Sequence, residues 1–178
     1  MQTHPSFPLV EEIINSFAPE LSEDLMAYRN HVCRVLNFYL ALSGQTAPAP
    51  AILIAAAFHD LGIWTHRTFD YLPPSLDLAK EYLASHGLTA LETEVCAIIT
   101  EHHKLLSYQG PFLPSVEIFR QADLVDLSLG AIRFGLPFSF VQSVRVTFPN
   151  AGFHRLLTRL AVRQFVQSPL RPLPMVHW

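Results

Sequence analysis

An apolar run that ends in a histidine and an aspartate constrains the fold of this chain more than any other feature. Residues 51–58, AILIAAAF, contain no polar side chain, and His59 and Asp60 follow directly. Pro50 suits the first position of a helix, and Gly62 suits the left-handed residue that ends one. The stretch therefore predicts a buried helix that carries an imidazole beside a carboxylate on its last turn. Adjacent side chains on a helix diverge by about 100°, so these two can share a metal ion only beside the helix end.

Other segments supply further metal-binding side chains on predicted apolar helix faces. His31 lies on the apolar stripe of a long helix, and His102 continues the stripe of a later one, with His103 one step round. Asp123 and Asp126 share a face of another helix, where carboxylates are costly to bury unless they are paired or bound to a metal. One histidine in an apolar stripe is more often an ordinary core residue. Four predicted helices that each place such a side chain inward favour a metal site.

The order of these residues resembles that of the HD superfamily, the metal-dependent phosphohydrolases named for their adjacent His-Asp pair. Their ligands follow the order His, His-Asp, Asp. The resemblance places the first histidine at His31 in YRNHVCRVL, the pair at His59 and Asp60 in FHDLG, and the last aspartate at Asp123 in FRQADLVDLS. It spans roughly half of the chain. Asp123 is preferred because its Ala-Asp context resembles the family signature, while Asp126 is either a partner of a ligand or the ligand itself.

Two departures from the family pattern bear on the substrate. Ile63 stands where some nucleotidases of the superfamily carry a glutamate, and the lysine that some members have after the glycine is missing. Neither departure removes a ligand, but both argue against a nucleotidase or a cyclic-dinucleotide phosphodiesterase. His102 and His103 resemble the extra histidines of two-metal branches, and a phosphate-contacting pair or a plain helix end are the alternatives. Lys104 follows them, and a cation there suits a phosphate or carboxylate on the substrate.

The ligand types predict both the cofactor and the chemistry. Two imidazoles with two carboxylates form a mixed nitrogen and oxygen site, which suits Mn, Fe, Co, Ni or Zn. The pKa of water on such an ion falls from 15.7 toward about 7, which yields a nucleophile near neutral pH. The resemblance implies that Asp60 also orients this water as a base, with His102, His103, Lys104 or Arg67 assisting. The predicted function is a metal-dependent hydrolase acting on a phosphoester of a small molecule or nucleotide.

Two other functions stay open. One is a non-phosphate reaction on the same scaffold, either a hydratase or lyase acting on a nitrogenous small molecule or a two-iron oxygenase that uses His102 and His103. This alternative stays open because the glutamate and the lysine that some phosphohydrolases of the superfamily carry are missing. The other is a non-catalytic ligand-binding module that retains its metal for structure.

Length and charge exclude several classes of protein. At 178 residues the chain is most simply one domain, with the motif region at 22–130, C-terminal helices at 137–167 and a tail at 168–178. The net charge of −3 argues against binding a nucleic-acid polymer. No segment approaches the roughly 20 apolar residues of a membrane helix, and the N-terminus lacks the pattern of a signal peptide. Cys33 and Cys96 are predicted to be reduced, buried thiols of a cytoplasmic protein.

The remaining pattern predicts an all-α fold of about six to eight helices joined by proline-marked turns. No alternating strand pattern is present in the sequence. Gly44 is predicted to end the helix that carries His31, and Thr89 with Glu92 is predicted to form a capping box. The predicted helices cover about 9–17, 22–42, 50–60, 75–86, 89–103, 115–126, 137–147 and 150–165.

Two further segments bear on substrate and partners. The irregular stretch 63–74 is a candidate lid or substrate wall, from which His66, Arg67 and Asp70 could meet a substrate, although an ordinary solvated position is the more common outcome for any one of them. In the last helix, arginines recur at four-residue steps, at positions 155, 159 and 163. That row is either a solvated stripe or a dimer contact, so a homodimer stays open. The proline-rich tail is expected to pack loosely or on a partner.

Overall fold

The computed structural model describes residues 1–171 and 173–176, and in this part of the chain it contains helices but no β-strand. Eight α-helices have nine residues or more, which confirms the predicted all-α class. Two four-residue helices and two 3₁₀ turns, Ser22–Asp24 and Thr89–Leu91, complete the described structure. The α-helices are α1 (Pro8–Ser16), α2 (Ala18–Leu21), α3 (Leu25–Ser43), α4 (Pro50–Phe58), α5 (Gly62–Thr65), α6 (Leu72–Ser85), α7 (Glu92–Glu101), α8 (Leu113–Leu127), α9 (Phe138–Thr147) and α10 (Phe153–Gln167).

Helix α3 lies at the centre of the fold. Every residue from 30 to 40 is buried, and the helix packs against α8, α4, α1 and α9. Gly44 ends it at a φ of +70° and donates its backbone N–H to the Leu40 carbonyl, as predicted for a left-handed terminator. Helices α3, α4, α7 and α8 contact one another in a closed ring, since α3 packs on α4, α4 on α7, α7 on α8 and α8 on α3. The histidine and aspartate side chains on and directly after these helices are therefore brought to a common centre.

Helix α4 begins at Pro50 as predicted, but its end differs from the prediction. The chain continues after His59 and Asp60 into the short α5, which starts at Gly62. Gly62 is absent from the residues with positive φ, so its predicted role as a left-handed terminator is wrong. It is needed for a different reason, because a Cβ at this position would lie 2.5 Å from the Tyr71 carbonyl oxygen.

Two predicted helix starts also differ. Helix α6 begins at Leu72 rather than Ser75, because its two prolines are accommodated in the first turn, where no backbone donor is required. Ser75 instead accepts a hydrogen bond from the Gly62 N–H. The predicted capping box of Thr89 and Glu92 is wrong, since a 3₁₀ turn leads into α7 and no side chain caps that helix.

The C-terminal third covers the core on one side. Phe140, Val141 and Val144 of α9 are buried, as predicted for a helix that closes the core. In α10 only Phe153 is buried, and the arginine row is exposed. The tail prediction falls partly outside the described residues, because Pro172, His177 and Trp178 are not among them.

Both cysteines are free, and Cys33 is buried, whereas Cys96 is only partly so. In the part of the chain that the structure describes, none of the helices has the length and apolar character needed to cross a membrane.

Candidate metal centre

Histidine and aspartate side chains from α3, from α8 and from the residues directly after α4 and α7 converge at one buried location. Five of them form two groups that share Asp60, and within each group the ligand atoms lie within 4.8 Å of one another. One group joins His31 and His59 to Asp60, and the other joins His102 and His103 to it. The predicted buried His and Asp cluster that could hold a metal ion is therefore present.

The first group has the spacing expected of ligands on a single ion. The Nε2 atoms of His31 and His59 lie 3.0 Å apart, and Asp60 Oδ2 lies 3.6 and 3.5 Å from them. Asp123 Oδ1 lies 3.5 Å from His31 Nε2 and 3.9 Å from His59 Nε2. Ligand atoms about 2.1 Å from one ion are separated by about 3.0–3.5 Å, so small adjustments suffice.

The second group uses the other oxygens of the same two carboxylates. Asp60 Oδ1 lies 3.4 Å from His102 Nε2, and Asp123 Oδ2 lies 3.8 Å from His103 Nδ1. Each carboxylate thus directs one oxygen at each group. This arrangement suits two neighbouring ions as well as one.

Four buried polar atoms at this centre have no hydrogen-bond partner among the described residues. They are Asp60 Oδ1, His102 Nε2 and both carboxylate oxygens of Asp123. Buried polar groups are nearly always hydrogen-bonded, and an unpaired carboxylate is especially costly. A cation bound between these atoms would satisfy all four.

Backbone carbonyls orient two of the imidazoles. The Nδ1–H of His59 can donate to the Ala56 carbonyl at 2.8 Å, and that of His102 can donate to the Ile99 carbonyl at 2.7 Å. Each ring is then a tautomer whose Nε2 lone pair faces the centre, as metal ligation requires. His103 is held differently, because its Nε2 lies 2.5 Å from the Tyr71 hydroxyl and leaves Nδ1 facing Asp123.

Asp126 supports the centre from behind instead of facing it. Arg34 donates from Nε and Nη2 to its two carboxylate oxygens at 2.5 and 2.8 Å, and His31 Nδ1 lies 2.7 Å from one of them. This carboxylate fixes the ring of His31 with Nε2 toward the other ligands. Of the two alternatives left open by the sequence, the geometry favours Asp126 as the partner of a ligand and Asp123 as the residue that faces the centre.

Burial sets the protonation of the cluster. It lowers the pKa of His59 to about 3 and holds that of His103 well below its ordinary value, so both imidazoles are neutral and able to bind a metal. Burial, together with the charges of Asp60 and Asp126, raises the pKa of Asp123 well above its ordinary value. Burial works against ionisation of Asp60 too, but neighbouring imidazoles, His59 first among them, outweigh it and lower that pKa. A metal ion bound here would compete with a proton for the Asp123 carboxylate.

Two cavities adjoin the cluster. The larger, about 470 Å³, is bordered by Asp60, His103 and Tyr71. The smaller, about 190 Å³, is bordered by His102, His103 and Asp123 together with Lys104 and Arg120. Lys104 Nζ lies 3.8 Å from Glu101, and Arg120 forms an ion pair with Glu117. The predicted catalytic residues Asp60, His102, His103 and Lys104 therefore border cavities that a substrate could enter.

The segment 63–74 contributes a wall through different residues from those predicted. Phe69 and Tyr71 border the larger cavity. His66, Arg67 and Asp70 are exposed and border none of the cavities described here. The predicted contacts of these three side chains with a substrate find no support in their positions.

Sequence reasoning missed Arg34, Tyr71, Phe153 and His154. Arg34 lies one helical turn after His31 within an apolar stretch, and that spacing was a usable signal. Phe153 stacks on the His31 ring with centroids 4.1 Å apart, and His154 Nε2 lies 2.9 Å from the Asp126 carbonyl oxygen. No local sequence pattern predicts these contacts or the contact of Tyr71 with His103, because each joins segments that are distant in the chain.

Comparison of the chain with family models, with curated proteins and with solved structures gave no match.

Proposed function

We propose that this protein is a metal-dependent hydrolase of the HD type, acting on a phosphoester of a small molecule or nucleotide. The observation that supports the proposal is the pair of buried carboxylates, Asp60 and Asp123, each of which faces imidazoles on two sides. Three of their four oxygens have no hydrogen-bond partner among the described residues. Such an arrangement is unfavourable without a cation and well suited to one.

The side chains fit one or two divalent ions of the Mn, Fe, Co, Ni or Zn type, because imidazole and carboxylate ligands suit these metals. A bound ion supplies a Lewis acid and water whose pKa is near 7. The first ion would be held by His31, His59, Asp60 and Asp123, and a second by Asp60, His102, His103 and Asp123.

Asp60 is placed to act on a substrate as well as to bind a metal. Its carboxylate borders the larger cavity while its two oxygens face both imidazole groups. A carboxylate in this position can orient an attacking water and accept its proton. The carbonyl of Ala56 and the carboxylate of Asp126 keep the rings of His59 and His31 in place during the reaction.

The smaller cavity supports the choice of a phosphoester. Lys104 borders it beside His102 and His103, so a phosphoryl group bound at the centre would lie near a cation. A positive group there stabilises the charge on a transferring phosphoryl group.

Elemental analysis of the purified protein tests this proposal first. We expect about two divalent ions per chain, because two ligand groups are present. Asp60→Ala, which removes a carboxylate shared by both groups, should lose both ions, whereas His59→Ala and His103→Ala should each retain about one. A panel of phosphomonoesters and phosphodiesters, assayed with Mn²⁺, should show turnover that is lost in His59→Ala and Asp60→Ala.

His86→Ala is the matched control, because His86 is exposed and lies outside the cluster. It should keep both the metal and the activity. Wild-type protein that binds no metal on purification and takes up none on titration with Mn, Fe, Co, Ni or Zn would contradict the proposal.

The larger cavity favours a second candidate, a reaction on an uncharged molecule at the same centre. No lysine or arginine borders this cavity in the described part of the chain. A hydratase, a lyase or a two-iron oxygenase would not need one. Robust phosphoester turnover with redox-inert Mn²⁺ would contradict this candidate, while iron as the dominant metal without phosphoester turnover would support it.

A further inference from the structure

The larger cavity has a polar end, and the rest of its lining is mostly apolar. Asp60, His103 and Tyr71 lie at the end next to the metal-binding cluster. The walls come largely from aliphatic side chains, with Leu157 and Ala161 of α10 among them. Its volume of about 470 Å³ is within the usual range of small-molecule sites.

Away from the metal-binding cluster, the polar groups on its walls are already paired within the protein. Both ring nitrogens of His154 are engaged, one with Asn150 and the other with the Asp126 carbonyl. Thr158 donates its hydroxyl to the His154 carbonyl, and the Tyr71 hydroxyl lies 2.5 Å from His103 Nε2. Away from the cluster, the described walls therefore offer a substrate apolar contacts and few free hydrogen-bonding groups.

The positive charges of α10 lie on a different side of the helix. Arg155 and Arg159 border a separate cleft of about 180 Å³, together with the acidic Glu23 and Asp24. None of the arginines of this helix borders the larger cavity. A second charged group on a substrate would consequently find no counter-ion there among the described residues.

The segment after α10 closes part of this space. Leu173, Met175 and Val176 border the cavity, and Met175 is only 4% exposed. A methionine adapts its shape to irregular apolar ligands. These three described side chains extend the apolar surface of the cavity.

We infer that the substrate presents one polar, reacting group to the cluster and an uncharged alkyl or aryl body to the larger cavity. The inference rests on the proposed function in so far as the reacting end is placed at the metal ligands. A nucleotide with its sugar and several charges is disfavoured, whereas a phosphoester of an apolar alcohol or phenol is favoured. Burial of each added methylene should strengthen binding, and a second charge should weaken it.

A series of n-alkyl hydroxamates tests the inference, because their common head binds a metal while only the tail changes. Binding to the metal-loaded protein is measured by calorimetry from acetohydroxamate to octanohydroxamate. We expect Kd to fall by about fourfold for each added methylene until the cavity is full. Suberic acid monohydroxamate, which ends in a carboxylate, should bind at least about tenfold more weakly than octanohydroxamate. A Kd that is independent of chain length, or equal affinity for the charged tail, would overturn the inference.

Two neighbouring substitutions on α10 locate the binding site. Ala161→Lys places a charge in the cavity wall and should weaken octanohydroxamate binding at least tenfold while leaving acetohydroxamate binding unchanged. Val162→Lys is the matched control, because Val162 is 59% exposed and does not border the cavity. If the two substitutions had equal effects, the alkyl tail of the hydroxamate would lie outside this cavity, and the inference would be refuted.

Metal analysis of the same samples separates this inference from the proposed function. If the protein holds no metal, the proposed function fails, and n-alkanols from butanol to octanol replace the hydroxamates as probes. The melting temperature should then rise with chain length in the wild type and Val162→Lys but not in Ala161→Lys. If the melting temperature showed no such trend, the inference would be overturned independently of the proposed function.

Discussion

Arg34 shows how a single buried charge orients the side chains of the candidate metal centre. It is 1% exposed and shares the carboxylate of Asp126 with the ring of His31. Its Nη1 also donates to the Phe148 carbonyl at 3.0 Å, which connects the segment after α9 to the metal-binding cluster. The orientation of one ligand therefore depends on three segments of the chain.

Asp126→Asn should destabilise the protein and weaken its metal binding together. Removing one partner of a buried ion pair costs about 3–5 kcal/mol, because the remaining charge is left unpaired. Loss of a group that orients a ligand typically lowers metal affinity by about 10–100-fold. Urea unfolding and metal titration measure the two effects.

Glu11→Gln is the control for this substitution, since it also removes a carboxylate that pairs with an arginine. The Arg29–Glu11 pair is partly exposed, with side-chain exposures of 27% and 30%. Its loss should cost less than about 1 kcal/mol and leave metal affinity unchanged. Equal unfolding free energies for the two variants would mean that Asp126 does not have the role described here.

Among the elements, the turn between α4 and α6 depends most on close backbone approach. Gly62 packs against the Tyr71 carbonyl, and its N–H donates to Ser75 at 3.0 Å. Tyr71 in turn contacts His103. The glycine therefore sets the position of a group that holds one of the imidazoles.

Gly62→Ala should cost about 1–3 kcal/mol and reduce metal binding by the second group of ligands. The added Cβ would lie 2.5 Å from a backbone oxygen and 2.9 Å from Pro74 Cγ, so the chain must shift. Displacement of Tyr71 should disturb His103. Thermal unfolding and metal stoichiometry measure the two effects.

Gly44→Ala gives the matched comparison. Gly44 has a φ of +70° and no atom within 4 Å of an added Cβ, so only backbone strain is expected. That strain should cost about 1 kcal/mol with metal stoichiometry unchanged. If both variants lose metal equally, the contact of Gly62 with Tyr71 does not control the site.

For the whole molecule, the buried histidines should make stability depend on pH. The pKa of His59 falls to about 3 on burial, and burial also lowers the pKa of His103 and His154. In the unfolded chain these rings take up protons below about pH 6.5, whereas His59 stays neutral in the folded protein down to about pH 3. The unfolded state binds more protons in that interval, so the stability of the metal-free protein should fall as the pH is lowered.

Asp123 opposes this trend, because its raised pKa makes the folded state bind a proton that the unfolded state releases. The substitution His59→Gln measures how much His59 contributes to the pH dependence of stability. It should reduce the slope of the unfolding free energy against pH by up to about 1.4 kcal/mol per pH unit between pH 6 and 4. Urea unfolding of metal-free protein across this range provides the measurement. His86→Gln, at an exposed position, should keep the wild-type slope, and an unchanged slope in His59→Gln would contradict the assigned burial effect.

Local sequence patterns were sufficient to predict most of the helices and the residues that meet at the centre. Apolar spacing predicted α3, α4, α7 and α8. Of the polar residues on those apolar stripes, His31 faces Asp123 and His102 faces Asp60. The rules failed at Gly62, Ser75 and the expected capping box of α7. There, contacts with other segments or a 3₁₀ turn replaced the local hydrogen bonds that the patterns predicted.

The sequence by itself determined the all-α class, the four helices that bring histidine and aspartate inward and the residue types at the centre, because helical periodicity and the cost of burying a charge are local properties. Only the tertiary structure decided which oxygen faces which imidazole, that Asp126 pairs with Arg34, and that an apolar cavity lies beside the cluster. Those features depend on distances between segments that are far apart in the chain, as in the bond from Arg34 to Asp126, 92 residues away. No spacing along the chain encodes such distances, since packing sets them only when the helices come together.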